Sequence, residues 1–335
     1  MSSQDRWKSI KRETPEFIPV SVGVMPSAWM LHRDKLEAIV RKHPAIFGIQ
    51  EGAKNYDELW SETYATGSHV DAWGCVWENV HHGQEAIVTK HPVPTRADVR
   101  NLKAPEKDMG LPHGFMYLRL ADLRGFEEIM VDFAEEPPEL QMLIDIVLKY
   151  NLRQCDIWLG KQTEKGAMFR VGDDLGMQHS LAIGPEKWRK YLKPCFMQLY
   201  KPVKQAGHYV YMHTDGMIYE IIPDLIECGV DVINPQFRAN GLANLVRVCK
   251  GKVCVDLDLD RQMFPFCKPS DIETHVREAV EALGSPEGGL WLKVEIDDGV
   301  PLENVEALCD ALEKYRGYYT KTCRTATNPG GNCKS

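Results

Sequence analysis

The sequence has no block of lysine and arginine residues, no long apolar run and no closely spaced pair of cysteines. Its formal net charge at pH 7 is −8, so the basic surface of a nucleic-acid-binding protein is missing. No apolar run approaches the roughly 20 residues that a membrane-spanning helix requires. The first residues are polar and lack the apolar core of a signal peptide. We therefore expect a cytoplasmic protein that binds neither nucleic acid nor membranes.

The cysteines are numerous but do not form a disulfide pattern. The chain has 10 of them, and none belongs to a CxxC pair. Several stand beside apolar residues, as Cys254 does between Val253 and Val255, where a small thiol packs well. We expect most of them to be buried and reduced.

Predicted strands and helices alternate through the second half of the chain. Apolar strand segments occur at residues 167–171, 209–212, 230–233, 252–257 and 289–294, and amphipathic helical segments at 185–206, 218–228, 242–249, 270–283 and 301–316. Five such units predict a parallel sheet covered on both faces. A (β/α)8 barrel and an open doubly wound sheet both fit this pattern. No GxGxxG motif follows a strand, which disfavours the dinucleotide-binding form.

The first half of the chain is less regular. It offers a first strand at residues 17–23 and helices at 34–43 and 135–160, while residues 57–115, rich in Trp, His, Gly and Pro, indicate a long elaboration. We expect one domain over residues 1–320, with an elaborated N-terminal region, and a disordered tail at 321–335.

Polar residues follow the predicted strands. In parallel α/β proteins the carboxyl ends of the strands form the mouth of the ligand site. The candidates at these ends are Arg170, Asp173, Asp174, His213, Asp215, Asn234, Gln236, Asp260 and Glu295. Asp173 or Asp174 could protonate or orient a substrate, because a carboxyl in a cleft often has a raised pKa. Arg170 could pair with them or anchor a substrate carboxylate, and the amides of Asn234 and Gln236 could bind polar substrate atoms.

Structural roles fit the same residues. His213 could hydrogen-bond neighbouring strand ends, and Asp215 could cap the following helix. Asp174 could cap a turn at Gly176. The sequence leaves both sets of roles open.

Five motifs occur in one order. They are Gly172-Asp-Asp-Leu-Gly176, Gly184-Pro-Glu-Lys-Trp-Arg-Lys-Tyr-Leu-Lys-Pro194, His213-Thr-Asp-Gly216, Ile222-Pro-Asp-Leu-Ile-Glu-Cys-Gly-Val-Asp-Val-Ile-Asn-Pro-Gln236 and Val300-Pro-Leu-Glu-Asn304. Together they resemble the uroporphyrinogen decarboxylase superfamily, most specifically over residues 165–316. The resemblance implies an α/β fold of the (β/α)8 TIM-barrel type. It also implies a role for Asp260, which stands where the superfamily has an aspartate before a glutamine.

The superfamily contains two chemistries. Its decarboxylases carry an N-terminal Arg-Gln-Ala-Gly-Arg motif that grips substrate carboxylates, but residues 20–29 of this chain contain no arginine. Its cobamide-dependent methyltransferases use Zn2+, and thiol-activating members bind the ion through His-x-Cys and a distant Cys. This chain has His213-x-Asp215, and Glu295 lies near the position of the distant cysteine. The resemblance therefore implies a zinc site of His213, Asp215 and Glu295, without thiolates.

A site with oxygen ligands is a harder Lewis acid than one with thiolates and suits an ether oxygen. We therefore predict a methyltransferase that moves a methyl group from a small, methoxylated donor to the Co(I) of a separate corrinoid protein. The cobamide must arrive on that partner, because the chain has no Asp-x-His-x-x-Gly signature. A homodimer is one option for its assembly. The alternatives are a metal-independent decarboxylase of a carboxylated small molecule, using His213 with Asp173 or Asp174, and a non-catalytic binding protein.

Overall fold

The computed structural model describes residues 3–320. The predicted disordered tail, residues 321–335, lies outside the described residues, together with two of the cysteines. The eight described cysteines are all free, and seven of them are buried, which confirms the expected burial for this part of the chain. No helix within residues 3–320 is long and apolar enough to cross a membrane.

The described chain contains strands in two sheets. The strands are β1 (Val20–Val24), β2 (Gly67–Val70), β3 (Val76–Asn79), β4 (Ile87–Lys90), β5 (Met168–Gly172), β6 (Tyr209–Thr214), β7 (Val232–Pro235), β8 (Cys254–Asp258) and β9 (Leu290–Ile296). Six of them form a parallel sheet in the spatial order β1-β9-β8-β7-β6-β5. The other three, β2 to β4, form a separate antiparallel sheet. This small sheet belongs to the elaboration predicted at residues 57–115.

Helices cover the parallel sheet. They are α1 (Ser3–Lys11), α2 (Pro26–Lys42), α3 (Pro44–Phe47), α4 (Tyr117–Arg124), α5 (Phe126–Glu135), α6 (Pro138–Gly160), α7 (Gly184–Lys187), α8 (Lys193–Gln205), α9 (Ile222–Cys228), α10 (Phe237–Asn240), α11 (Leu242–Cys249), α12 (Pro269–Leu283) and α13 (Leu302–Arg316). Short 3-10 turns span Glu62–Tyr64 and Arg96–Asn101. A π-helical turn, Trp188–Leu192, joins α7 to α8, so the single helix predicted at residues 185–206 is continuous but irregular.

The barrel prediction is confirmed in part. The α/β class, the parallel sheet and the strand–helix alternation are present. The sheet is curled, and its edge strand β1, the first in the sequence, pairs with β9, the last. Ser21 and Lys293 are partners in that pairing. The described residues form six parallel strands of this sheet rather than eight, because residues 25–167 contribute helices and the small antiparallel sheet instead.

The two faces of the parallel sheet differ in chemistry because side chains alternate along a strand. On β6, Val210 and Met212 are fully buried, and Tyr200 of α8 donates a hydrogen bond to the sulfur of Met212 at 3.3 Å. Tyr211 and His213 lie on the opposite, concave face and line a cavity. On β6 the apolar side chains therefore pack on the helices, and Tyr211 and His213 face the interior.

Helix α1 packs against the strands where they begin. The ring of Trp7 lies 5.2 Å from the ring of Tyr209, the first residue of β6. The hydroxyl of Ser9 accepts a hydrogen bond from the amide of Gly289 at 3.0 Å, just before β9. Because the amino ends of the strands are covered in this way, the carboxyl ends remain for ligands.

Candidate metal site and cavity

His213 is held at the carboxyl end of β6 by an amide on the neighbouring strand. Its Nδ1 lies 2.7 Å from Oδ1 of Asn234, and Nδ2 of Asn234 donates to the carbonyl of Asp256 at 2.5 Å. Because the amide nitrogen is committed to that carbonyl, Oδ1 must accept the proton of Nδ1. His213 is thereby fixed in the tautomer whose Nε2 carries a free lone pair, which is the form that binds metals.

Three ligand-type side chains meet around this nitrogen. One nitrogen each of His113 and His213 and one carboxylate oxygen of Asp174 all lie within 4.8 Å of one another. Nε2 of His113 is 3.0 Å from Oδ2 of Asp174, and Nε2 of His213 is 3.9 Å from Oδ1. We call these three residues the His113 cluster. Two imidazoles and a carboxylate are ligands that Zn2+ accepts.

The backbone leaves room for this cluster at Gly172, the last residue of β5. A Cβ atom at this position would lie 2.5 Å from Nδ1 of His113. The carbonyl of Gly172 also accepts a hydrogen bond from the amide of Gly114 at 2.8 Å, which holds the segment carrying His113 against the end of β5. A side chain at residue 172 would therefore displace His113.

The members of the cluster differ in charge. Burial, with the charge of Lys293, lowers the pKa of His213 to about 4, so its ring is neutral at pH 7. Burial also lowers the pKa of His113, but the hydrogen bond to Asp174 and the charge of that carboxylate outweigh it and raise the pKa to about 9. For Asp174, burial raises the pKa, and the contacts with His113 more than reverse this and lower it. Asp174 is therefore ionised, and a bound cation would replace the proton of His113.

The neighbouring aspartate, Asp173, faces the other way. Its side chain is fully buried, and its two oxygens accept hydrogen bonds from the backbone amides of Tyr117 and Leu118 at 2.6 and 2.9 Å. It thus caps the start of α4, and burial raises its pKa to about 7. The sequence predicted a catalytic role for Asp173 or Asp174, and the structure brings only Asp174 to the cluster.

The acidic residues on the other side of the mouth are held by one arginine. Arg261 places Nη2 2.9 Å from Asp215 and 3.0 Å from Asp258, and Nη1 3.5 Å from Glu295. The predicted metal set was His213, Asp215 and Glu295. Asp215 does approach Nε2 of His213, at 3.3 Å, but Glu295 interacts with Arg261 and, at 3.9 Å, with Lys293. The geometry thus groups His213 with His113 and Asp174, whereas Glu295 lies beside a guanidinium that competes for its carboxylate. The role of Glu295 as a metal ligand stays a prediction.

The remaining predicted site residues are dispersed. Oε1 of Gln236 accepts a hydrogen bond from the amide of Gly216 at 2.9 Å and so supports the loop after β6. Asp260, expected to be catalytic, forms an ion pair with Arg238 at 2.7 Å. The guanidinium of Arg170 lies 4.3 Å from the centre of the Tyr211 ring and lines the cavity.

The cavity occupies about 500 Å³ on the concave side of the sheet and includes both histidines of the cluster. Its lining residues are Arg6, Ser21, Leu111, His113, Arg170, Val171, Gly172, Tyr211, His213, Asp256 and Lys293. The volume falls in the range of pockets for small molecules. A small substrate could therefore enter beside the cluster.

Sequence reasoning missed His113, which lies in the irregular segment before α4. No local motif marks it as a ligand, and its segment is held near the cluster by long-range contacts such as that of Gly114 with Gly172. In contrast, the sequence does indicate which of Asp173 and Asp174 faces the mouth. Because side chains alternate along a strand, Asp174 is expected on the same face as Arg170, and Asp173 on the face of the apolar Val171.

A curled parallel sheet with its polar groups at the carboxyl ends of the strands defines a barrel-like α/β protein of the enzyme type. Residues 115–315, more than half of the chain, match the family described as Uroporphyrinogen decarboxylase (URO-D). The chain belongs to this enzyme family, which confirms the resemblance seen in its motifs.

A solved methyltransferase structure shares the fold. A methyltransferase from Methanosarcina mazei aligns with a TM-score of 0.63 and 14% identity, over 92% of this chain and 98% of that one. A B12-independent methionine synthase from Shewanella sp. W3-18-1, in complex with selenomethionine, aligns with a TM-score of 0.46 and 10% identity over 92% and 99%. No curated protein sequence matches the chain.

Proposed function

We propose that this protein is a methyltransferase that moves a methyl group from a small, methoxylated donor to the Co(I) of a separate corrinoid protein. The observation that carries the proposal is the His113 cluster, which is built from nitrogen and oxygen ligands and opens on a cavity. Family membership and the fold shared with a methyltransferase are consistent with it. The proposal includes a single barrel domain over residues 1–320.

The cluster fits a divalent metal such as Zn2+. His213 presents an unprotonated Nε2, Asp174 is ionised, and the three ligand atoms already lie within 4.8 Å of one another. His113, Asp174 and His213 would hold the ion, and Asp215 stands beside them, 3.3 Å from His213. When bound, the metal would supply Lewis acidity toward the oxygen of the methyl donor.

Protein groups around the cluster define what enters it. Asn234 keeps Nε2 of His213 turned toward the cluster, and Lys293, whose Nζ lies 3.4 Å from Oδ1 of Asn234, reinforces that orientation of the amide. Arg261 lies beside Asp215, Asp258 and Glu295 and offsets part of their negative charge, which reduces their repulsion of an electron-rich donor. The pKa of Asp215 is raised mainly by burial, and in this proposal Asp215 would share a proton with the leaving oxygen.

A second candidate is a metal-independent decarboxylase. Arg170, Arg6 and Lys293 line the cavity and would attract a carboxylated substrate. His213 and Asp174 would then act as proton-transfer groups. This reaction would remove the carboxylate, whereas methyl transfer would retain it.

The test is the metal content of the protein purified without added metal or chelator, measured by elemental mass spectrometry. We expect about one zinc per chain in the wild type and none in His213→Ala. The metal-loaded protein should then demethylate a methoxylated donor with cob(I)alamin as the methyl acceptor. The change in the absorbance of the cobalamin measures this reaction. A wild type that binds no zinc, even when zinc is offered, but releases CO2 from a carboxylated compound would replace this proposal with the decarboxylase.

A further inference from the structure

Three cationic side chains from distant parts of the chain converge on the cavity. Arg6 comes from α1, Arg170 from β5 and Lys293 from β9. The chain as a whole has a formal net charge of −8, so a positively charged interior runs against its composition. Arg6 and Lys293 are half-buried and Arg170 is exposed, and a half-buried cation normally has an anionic partner.

Neither arginine has such a partner within the part of the chain that the structure describes. No carboxylate in residues 3–320 lies within 4.0 Å of Arg6 or Arg170, whereas Arg119, Arg124 and Arg261 each form ion pairs. Arg6 lies 5.3 Å from the centre of the Trp291 ring, and its Nε is buried without a hydrogen-bond partner. An aromatic ring attracts a cation but does not neutralise its charge.

One acidic residue, Asp256, lines the cavity among the described residues. Its Oδ2 accepts a hydrogen bond from the hydroxyl of Tyr211 at 2.9 Å, and its Oδ1 has no hydrogen-bond partner. Asp256 faces three cations and can neutralise at most one of them. Lys293 also lies 3.9 Å from Glu295, which interacts with Arg261 as well, so the wall keeps an excess of positive charge even when Asp256 and Glu295 are ionised.

We propose that Arg6, Arg170 and Lys293 form a carboxylate-binding subsite, and that the methyl donor carries a carboxylate at the end opposite to its methyl ether. This inference rests on the methyl transfer proposed above, because that reaction assigns the other end of the donor to the His113 cluster. Arg170 is paired with Tyr211, two residues before His213. Two residues of a strand span about 7 Å, so a single aromatic ring with substituents at opposite positions bridges the two sites.

The subsite differs from the arginine-rich motif expected of the decarboxylases. That motif would lie at residues 20–29, which contain no arginine, whereas Arg6 precedes β1 and Arg170 follows α6. Three cations beside one small cavity suit one carboxylate rather than many. A compact donor with a single acidic group is therefore the ligand class.

Isothermal titration calorimetry of the full-length protein tests the subsite with three probes: 4-methoxybenzoate, 4-methylbenzoate and the uncharged 4-methoxybenzyl alcohol. We expect both benzoates to bind at least about 10-fold more tightly than the alcohol, as charge-assisted hydrogen bonds predict. Arg170→Gln should weaken both benzoates by about 10-fold or more and leave the alcohol unchanged. Arg277→Gln, on the exposed face of α12, is the matched control and should change nothing.

Equal binding of the benzoates and the alcohol would overturn the subsite, as would equal weakening of all three probes by Arg170→Gln. Retained binding of the alcohol also shows that the variant is folded. The inference and the proposed function fail separately, because 4-methylbenzoate has no methyl ether and tests the subsite alone. Arg170-dependent binding of both benzoates without methyl transfer to cob(I)alamin would support the subsite and reject the methyltransferase.

Discussion

Two groups of carboxylates lie at the same end of the sheet and are neutralised in different ways. On the β5–β6 side, Asp174 faces two imidazoles. On the β8–β9 side, Asp258 and Glu295, with Asp215 from the loop after β6, share the single guanidinium of Arg261. Imidazoles can exchange their protons for a metal near neutral pH, whereas a guanidinium remains charged. The same kind of acidic residue therefore faces exchangeable imidazoles on one side and belongs to a fixed ion-pair network on the other.

The largest effect expected is the loss of metal from the β5–β6 side. His213→Ala or Asp174→Asn should abolish zinc binding at micromolar zinc, because each removes one of three ligands. Glu295→Gln is the matched control from the other side and should keep about one zinc per chain. Elemental analysis after gel filtration measures both. If Glu295→Gln loses zinc and Asp174→Asn keeps it, the result would instead support the ligand set predicted from the sequence.

The next effect concerns the β8–β9 side. Arg261→Gln leaves three neighbouring carboxylates without their cation and should lower the free energy of unfolding by about 3 kcal/mol, as for other broken buried pairs. Arg238→Gln, which breaks the more exposed pair with Asp260, should cost less than about 1 kcal/mol. Urea denaturation at pH 7 provides the comparison. Equal losses in the two variants would show that Arg261 does not hold a network.

A smaller effect is expected from the residue that orients His213. Asn234→Ala frees the tautomer of His213 without removing a ligand and should weaken zinc binding by about 10- to 100-fold. Gln236→Ala, whose side chain supports only the backbone of Gly216, should leave the affinity unchanged. Competition against a chromogenic chelator measures both. Unchanged affinity in Asn234→Ala would mean that the hydrogen bond does not position the ligand.

A further effect depends on pH. Burial raises the pKa of Asp258 to about 7, against about 4 in an unfolded chain, with the charge of Arg261 opposing the rise. The folded state thus binds the proton more tightly, and the stability from this group is present below pH 4 and is lost as the pH rises toward 7. Asp258→Asn should remove this pH dependence of the free energy of unfolding, which is at most about 1.4 kcal/mol per pH unit. Urea denaturation of both proteins at pH 5 and 7.5 measures it, and parallel pH profiles would contradict the assignment.

Much of the fold was predictable because the second half of the chain repeats a simple pattern. The helix predicted at residues 242–249 is α11 as observed, and the predicted strands overlap β5 to β9. The eight-strand count did not follow, because residues 25–167 show no comparable pattern. The placement of His213, Asn234 and Glu295 at strand ends was also predictable, since parallel strands bring their carboxyl ends to one edge.

The partners of these residues were not predictable from local sequence. Arg261 lies 46 residues from Asp215, and His113 lies 61 residues from Asp174. Such contacts depend on how loops pack over the sheet, which local propensity does not specify. The ion pair of Asp260 was not predictable for the same reason, because its carboxylate pairs with Arg238 from the preceding strand–helix unit. The catalytic role of Asp260 stays a prediction.

The sequence by itself determined the strand–helix order and the set of polar residues that reach the mouth, because both follow from periodicity along the chain. Tertiary structure alone decided which of these carboxylates is free for a metal and which is held by arginine. Charge neutralisation acts over a few ångströms in space, and the groups that neutralise Asp174 and Glu295 come from segments that meet them only in the folded protein.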